Sequence, residues 1–322
     1  MRLLSQRWRS DGSLKICCCY CLIDVALAIF VGFLCWLLFS GFVPPYKRGF
    51  YCNDQSIRLP YKPNTVSVKL LLTISIAVPV FLILWYHTWT FVIIPGRMDN
   101  GTKRSLADRF RISFATGTSV GTEYFFGLMV VVALMHFGKS SFGVLRPHFI
   151  DICRPNASLV ACALYSASNN QRRMDADDSD FGRVDDVKKI AVEDNLIYVE
   201  EPHCTTNDYF QLKVARESFP SGHTAVAVYA LLFVLAFLRD RHRRLGPASA
   251  SLFCPLIVRY LFSLIGIVWT VFVCITRVTD HWHHWTDVAG GVALGLGVGS
   301  VLFFRKDSAF RNSMTQGKAV DY

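Results

Sequence analysis

Residues 276–287 read Thr-Arg-Val-Thr-Asp-His-Trp-His-His-Trp-Thr-Asp and lie between two long apolar runs. Ionisable side chains beside a membrane span are costly unless they are paired or used by the protein. If the end of this stretch is helical, His283 and Asp287 share a face, and Asp280 and His284 have the same spacing. The spacing therefore leaves the working pair open, and a polar cap on two spans or a metal site also fits.

The residue types of this stretch favour chemistry at phosphate. An imidazole whose one nitrogen is held by a carboxylate leaves the other nitrogen free to attack or to exchange a proton. Arg277 adds a permanent charge whose fork of donors matches phosphate oxygens.

The composition indicates a polytopic membrane protein. The chain has 322 residues, of which 52% are hydrophobic, and a mean hydropathy of +0.33. This is too apolar for an ordinary soluble domain. The net charge of +10 is carried by short segments between apolar runs, which favours a membrane over a nucleic-acid partner. The cysteines show no zinc-finger spacing.

Six apolar runs are each near the roughly 20 residues that cross a bilayer as a helix. They lie at 16–42, 70–94, 113–138, 218–238, 255–275 and 288–304. The last contains several glycines, which allow close helix packing. We therefore predict an all-α fold, a six-helix membrane bundle that forms one domain over residues 1–322, with a core of about 16–304.

Lysine and arginine near the span ends predict the orientation. Six spans place both termini on one side, and most basic segments fall on that side. It should therefore be cytoplasmic. The basic residues concerned are Arg2, Arg7, Arg9, Lys15, Arg97, Lys103, Arg104, Arg109, Arg111, Arg239, Arg241, Arg243, Arg244, Arg305, Lys306, Arg311 and Lys318.

The loop between the third and fourth spans is then extracellular or lumenal. Its acidic part, about 165–205, is expected to be mobile surface. Asn156-Ala-Ser is a glycosylation sequon on the appropriate side. Disulfides are permitted there, but the pairing among the cysteines of that side cannot be deduced from sequence. They are Cys52, Cys153, Cys162 and Cys204.

Three polar clusters share this outer side. Lys139 and Arg146 follow the third span, Ser221-Gly222-His223 open the fourth, and the stretch 276–287 joins the last two. The helix start after Pro220 presents free amide groups to an anion. The three cations could stabilise a phosphoryl transition state without a metal. Each cluster alone has a structural explanation, such as interfacial charges or a capped helix start.

Taken together, these clusters resemble the three-part signature of the type 2 phosphatidic acid phosphatases. Within that superfamily, three segments are similar to the animal lipid phosphate phosphatases: 45–54 (Pro-Tyr-Lys-Arg-Gly-Phe-Tyr-Cys-Asn-Asp), 145–149 (Leu-Arg-Pro-His-Phe) and 277–280 (Arg-Val-Thr-Asp). The resemblance covers roughly 16–304. One departure is Thr276, which stands where serine is usual.

The resemblance implies a function and a set of roles. The family removes phosphate from phosphatidate, lysophosphatidate, sphingosine 1-phosphate and ceramide 1-phosphate without a metal or other cofactor. By position, His283 is similar to the nucleophile, Asp287 to the residue that orients it, and His223 to the acid and base. The matching phosphate binders are Lys139, Arg146, Ser221, Gly222 and Arg277.

Other functions stay open at this stage. A lipid-binding relative without catalysis would share the fold, although none of the signature residues is missing. A transporter could use Asp24, Glu123 and Arg259 as a pathway, but single buried charges can pair within a bundle. We expect a plasma-membrane protein with an extracellular site, with an internal membrane as the alternative. The preferred lipid and a homo-oligomeric state cannot be deduced.

Overall fold

The computed structural model describes residues 26, 29–34, 36–37, 44, 46–89, 105–155, 198–200, 204–245 and 253–315. The fold is mostly helical, as predicted. In chain order its elements are β1 (Phe50–Tyr51), α1 (Val68–Thr88), α2 (Leu106–Phe142), α3 (Phe149–Cys153), β2 (Tyr198–Val199), α4 (Tyr209–Ala215), α5 (Gly222–Leu245), α6 (Phe253–Thr279) and α7 (Trp285–Thr315).

Four helical stretches are long and apolar enough to cross a membrane, which makes this a multi-pass membrane protein. They are Val68–Thr88, Thr116–Phe142, Gly222–His242 and Ile257–Thr279. They correspond to the second to fifth predicted spans. The predicted span 16–42 lies largely outside the described residues, and 288–304 lies in α7, whose side chains are described only in part beyond residue 300. Six spans with cytoplasmic termini stay a prediction.

Two helix boundaries differ from the prediction. Helix α2 continues past residue 138 to Phe142, so Lys139 lies in its last turn instead of after it. The helix ends at Gly143, whose φ of +53° is a left-handed conformation that favours glycine. Helix α5 begins at Gly222 and not at residue 218, because the residue before Pro220 is disfavoured in a helix. Residues 218–221 are therefore free to contact the site.

Helix α5 lies at the centre of the bundle and packs against α1, α2, α6 and α7. Its contact with α7 depends on Gly291, Gly295 and Gly299, which lie four residues apart on one face. A Cβ atom added at any of the three would clash with the facing segment. It would meet Ser221 and Thr224 from the first glycine, Ala225 and Val228 from the second, and Leu232 from the third. The predicted close packing of this glycine-rich span is thus present, and we call this contact the glycine seam.

A smaller layer covers the helix ends that carry the polar clusters. Strands β1 and β2 pair antiparallel, and Phe50 lies opposite Val199. Helices α3 and α4 pack together, and a second apolar cluster holds the layer in place; its members include Phe50, Ile57, Leu145, Phe149, Cys153 and Ala215. A disulfide joins Cys153 to Cys204, and Cys52 is also disulfide-bonded. Asn156 and most of the loop 165–205 lie outside the described residues.

Candidate active site

The three polar clusters meet at one end of the bundle. Lys139 lies in the last turn of α2 and Arg277 in the last turn of α6, whereas His223 and Asp287 lie in the first turns of α5 and α7. Residues 280–284 form a turn and a short extended segment between α6 and α7. The co-location that the span count predicted is therefore present in the fold.

Helix α7 begins at Trp285, so His283 precedes the helix and does not share a helical face with Asp287. The carbonyl of His284 accepts the first bond of the helix, from Val288, which makes His284 the N-cap residue. Asp287 stands at the third helical position and accepts the His284 amide at 2.8 Å, which is half of a capping box. The cap, rather than helical spacing, brings the carboxylate back toward both histidines.

Ser218 lies between His283 and Asp287. Its hydroxyl donates to Asp287 Oδ2 at 2.6 Å and lies 3.4 Å from His283 Nδ1. The direct distance from His283 Nδ1 to Asp287 Oδ2 is 3.7 Å, which is longer than a hydrogen bond. Catalytic hydrogen bonds are often long in a ligand-free site and shorten in the complex. The arrangement leaves Nε2 as the ring nitrogen of His283 that faces away from the carboxylate.

His284 also approaches the carboxylate. Its Nδ1 lies 3.2 Å from Asp287 Oδ2, closer than that of His283. His283 is almost fully buried, whereas the His284 side chain is 23% exposed. Asp280 and His284, the other pair that the sequence left open, do not pair with each other, because Asp280 binds Thr65 and Arg277. Both histidines thus lie near the Asp287 carboxylate, and the two rings differ in how deeply they are buried.

Burial sets the charge states of this pair. Burial lowers the pKa of His283 well below its usual value, and the nearby Arg146 and Lys139 act in the same direction against Asp287. Burial would raise the pKa of Asp287, but the nearby His283 ring and the hydrogen bonds from His284 and Ser218 hold it well below its usual range. A neutral imidazole therefore lies beside an ionised carboxylate, as a nucleophile requires.

Arg277 is fully buried and held at both terminal nitrogens. One donates to Asn64 Oδ1 at 2.7 Å, and the other donates to the Val66 carbonyl and Asp280 Oδ2, both at 3.3 Å. The Nε atom is buried and has no hydrogen-bond partner among the described residues. The guanidinium is thus fixed in position, with its Nε–H donor unused among the described residues.

Arg146 is held by the segment that leads into α5. Its amide donates to the Ala215 carbonyl at 2.9 Å, and its guanidinium donates to the Glu217 carbonyl at 3.2 Å and lies 4.8 Å from the Trp282 ring. Burial lowers its pKa to about 10, against the attraction of Glu217 and Asp287, so it remains a cation at neutral pH. Its Nε likewise lacks a partner in the part of the chain that the structure describes.

The start of α5 presents an anion-binding geometry. The Ser221 carbonyl accepts the first bond of the helix, from Ala225, so Ser221 is the N-cap. Its amide donates to the Asp287 carbonyl at 2.9 Å, which ties α5 to α7. The amides of Gly222 and His223 follow, at positions where a helix offers no acceptor of its own. Ser221 thus contributes its hydroxyl rather than its amide.

The remaining two predicted residues join this group. His223 interacts electrostatically with Arg277, Lys139 and Arg146, and its Nε2 is buried without a partner in the described ranges. Lys139 is half-buried and interacts with Arg146, Glu217 and Asp287. Every predicted catalytic and phosphate-binding residue therefore belongs to one connected cluster.

Within the described residues, no group of three or more His, Cys, Asp or Glu side chains is arranged to hold a metal ion. Asp280 is bound to Arg277, and Asp287 to Ser218 and His284. The cations of the cluster are Lys139, Arg146 and Arg277. Metal independence stays a prediction.

Sequence reasoning missed three contributors to the site: Ser218, Trp282 and residues 60–66. Ser218 was counted as the polar start of a span, although it directly precedes the Phe-Pro-Ser-Gly-His run. Trp282 lies within the quoted stretch, but only its ring contact with Arg146 gives it a role. Residues 60–66 carry two prolines and an Asn-Thr pair, which indicated only a loop.

Comparison with known proteins matches residues 121–307 to the PAP2 superfamily. The chain is 29% identical over 276 residues to phospholipid phosphatase 2 of Homo sapiens, covering 86% of this chain and 78% of that protein. It is 29% identical over 286 residues to phospholipid phosphatase 1 of Mus musculus, covering 86% and 80%. A putative phosphatidate phosphatase of Drosophila melanogaster is 28% identical over 284 residues, covering 85% and 64%. No solved structure matches the chain.

Proposed function

Because the chain belongs to the PAP2 superfamily, we propose that it is a metal-independent lipid phosphate phosphatase that acts through a phosphohistidine intermediate. Its similarity to phospholipid phosphatases supports a lipid substrate. The proposed substrates are phosphatidate, lysophosphatidate, sphingosine 1-phosphate and ceramide 1-phosphate. The observation that carries the proposal is the set of buried, unpartnered nitrogen atoms on Arg146, Arg277 and His223 within the described residues, beside a neutral His283.

The phosphate group supplies the partners that these atoms lack. Its oxygens accept from Arg146 Nε, Arg277 Nε, Lys139, the Ser221 hydroxyl and the Gly222 and His223 amides. A buried donor without a partner costs about 1–3 kcal/mol, so the site is more favourable with an oxyanion bound. Charge-assisted bonds to two fixed arginines strengthen as negative charge develops on the transferring group.

In the first chemical step, the lone pair of His283 Nε2 forms a bond to phosphorus while the bond from phosphorus to the lipid oxygen breaks. His223, which takes up a proton when the phosphate anion binds beside it, gives that proton to the lipid oxygen, and the lipid leaves as an alcohol. Ser218 and Asp287 hold the Nδ1 side of the ring. The positive charge that develops on His283 therefore faces a carboxylate.

In the second step, neutral His223 accepts a proton from water as the water oxygen attacks phosphorus. The nitrogen–phosphorus bond breaks, and its electron pair returns to His283 Nε2. Inorganic phosphate leaves, and both histidines have their starting protonation states. This sequence requires no external co-reactant besides water.

We further propose six spans with both termini in the cytoplasm and the site at the outer face of the plasma membrane. The basic residues near the span ends support this orientation. It places the sequon at Asn156 on the glycosylated side and a second sequon, Asn100-Gly-Thr, on the cytoplasmic side. Glycosidase treatment of Asn→Gln variants tests it: a mobility shift that persists in Asn156→Gln and disappears in Asn100→Gln reverses the orientation.

The activity test uses the purified chain in detergent micelles with the four lipid phosphates and excess EDTA. We expect inorganic phosphate to be released by the wild-type protein and not by His283→Ala. Binding of the lipids without release would refute the phosphatase in favour of a lipid-binding protein. Loss of activity in EDTA that zinc restores would refute metal independence.

A further inference from the structure

The loop before α1 runs alongside the stretch that carries Arg277. Along residues 60–66, the Pro60 carbonyl lies 2.9 Å from His281 Nδ1, the Lys62 carbonyl accepts Trp282 Nε1 at 2.9 Å, and Lys62 Nζ donates to the Thr279 carbonyl at 3.2 Å. We call residues 60–66 the strap. It lies outside the signature clusters, and the matched superfamily region begins only at residue 121.

We propose that Asn64 and Thr65 of the strap are positioning residues that fix the phosphate-binding arginine Arg277; this rests on the proposed phosphatase function. Asn64 Oδ1 accepts one terminal nitrogen of Arg277 at 2.7 Å, and the Val66 carbonyl accepts the other at 3.3 Å. With both terminal nitrogens held, the guanidinium plane cannot rotate about its Cδ–Nε bond. The unpartnered Nε–H then points in one fixed direction.

Thr65 controls the counter-charge of Arg277. Its amide donates to Asp280 Oδ2 and its hydroxyl to Asp280 Oδ1, each at 2.8 Å, so both carboxylate oxygens are held. Asp280 Oδ2 also contacts Arg277 at 3.3 Å. A buried ion pair needs further hydrogen bonds to offset its desolvation, and Thr65 supplies two of them. Loss of these bonds would let Asp280 compete with phosphate for the guanidinium.

The strap also reaches the second arginine, through Trp282. The Trp282 ring donates its N–H to the Lys62 carbonyl and lies under the Arg146 guanidinium at 4.8 Å. Tyr61 packs edge-on against Trp282 and against His148. One extended segment thus holds Arg277 directly and Arg146 through one ring.

The sequence of the strap suits a rigid brace. Pro60 and Pro63 restrict the backbone on either side of Lys62. Ser67 caps α1, since its hydroxyl accepts the Leu70 amide at 3.2 Å. Asn64 and Thr65 therefore lie between a proline and a capped helix start, which keeps their side chains in place before substrate arrives.

The test compares Asn64→Ala, Asn64→Asp, Thr65→Ala and Thr65→Ser with Asn53→Ala, an exposed asparagine in the same loop. The readouts are the dissociation constant of inorganic phosphate, kcat and KM for an aryl phosphate, and the apparent Tm without ligand. Asn64→Ala should weaken phosphate binding and raise KM about tenfold, with kcat changed less than about threefold. Asn53→Ala should match the wild-type protein.

The conservative variants separate positioning from simple packing. Asn64→Asp keeps the acceptor but places a negative charge on Arg277, so phosphate binding should weaken more than in Asn64→Ala. Thr65→Ala should weaken it as Asn64→Ala does, and Thr65→Ser, which keeps the hydroxyl, should restore it. If Asn64→Ala does not fold, the Thr65→Ala and Thr65→Ser pair decides the proposal.

Two failures can be told apart. A wild-type protein that binds inorganic phosphate but releases none from any lipid refutes the phosphatase function. The strap proposal is then decided by the phosphate dissociation constants of the variants. Unchanged phosphate affinity in folded Asn64→Ala and Thr65→Ala refutes the strap proposal, whatever the activity of the wild-type protein. Equal weakening by Thr65→Ser and Thr65→Ala would also refute it.

Discussion

At one end of the stretch 276–287, Arg277 and Asp280 are bound by residues 64–66, which lie more than two hundred residues earlier in the chain. At the other end, Asp287 is bound by its neighbour His284 and by Ser218, which is tied to α7 through the start of α5. The arginine end is thus fixed by a strap from the loop. The histidine end is fixed by a helix cap and the glycine seam.

The difference matches what the proposed reaction requires of each end. In that reaction the arginine must stay still, because it orients the incoming phosphate. The histidine must change its bonding as it attacks phosphorus and is released. Its 3.7 Å distance from Asp287, with Ser218 between them, leaves room for the hydrogen bond to shorten.

The histidine end should depend on His283 far more than on His284. We expect His283→Ala to lower turnover by a factor on the order of 10³ or more, because no covalent intermediate can form. His284→Ala should retain turnover within about tenfold, because removal of the His284 ring leaves Asp287 available to His283. Steady-state assays and acid-labile phosphoenzyme trapping measure both variants.

Arg277→Lys is the matched control at the arginine end, because it keeps the positive charge and loses the forked donors of the guanidinium. It should raise KM while phosphoenzyme still forms. Trapped phosphate on residue 284, or normal turnover by His283→Ala, would show that the wrong histidine was assigned.

The glycine seam should be a second determinant of the histidine end. Gly291→Ala would drive a Cβ into the Ser221 carbonyl oxygen and toward Thr224, so α5 must move away from α7. Overpacking of this kind costs typically about 1–3 kcal/mol. We expect a lower apparent Tm and a kcat reduced roughly tenfold, because Ser218 and Ser221 move relative to Asp287.

Gly297 offers the control on the same helix, since an added Cβ there meets no atom of the described residues within 4 Å. Gly297→Ala should change the apparent Tm and kcat little. Phosphate affinity should fall less in Gly291→Ala than in Asn64→Ala, because Ser221 moves with α5 while the strap still holds Arg277. Equal effects of the two substitutions would contradict the division between the ends.

Most of the fold, and the meeting of the three polar clusters at one end of the bundle, could be predicted from local patterns. Hydropathy located α1, α2, α5 and α6, and the spacing of basic, serine and histidine residues indicated a shared phosphate site. These signals are local because a span must be apolar along its length and a helix start must be capped. Lys139 lies in the last turn of α2 instead of after it, and the fourth apolar run opens before the helix start that follows Pro220, since hydropathy does not mark helix ends.

The braces of the site could not be predicted, because their partners are distant in sequence. Nothing in Pro63-Asn64-Thr65 indicates that it meets Arg277 and Asp280, and a loop of this composition is common. Likewise, helical spacing suggested that His283 and Asp287 meet on one face, but they meet through a cap and Ser218. Local sequence thus indicates which residues lie together, and the tertiary fold determines how they are held.

The smallest expected effect is an absence of titration at His283 and His148. Burial lowers the pKa of His148, which packs against Tyr61 of the strap, to about 4, and burial also lowers the pKa of His283 well below its usual value. Both rings should stay neutral from pH 8 to pH 5, whereas unfolded histidines take up a proton near pH 6.5. The unfolded chain therefore binds more protons in this window, and stability should fall as pH decreases from 7 to 5.

Imidazole ¹⁵N chemical shifts, assigned with His283→Gln and His148→Gln, should not move between pH 8 and 5. The apparent Tm of His283→Gln should fall less steeply over the same range than that of the wild-type protein. A His283 midpoint near 6.5 would contradict the prediction, because it would show that burial does not lower the pKa of this ring.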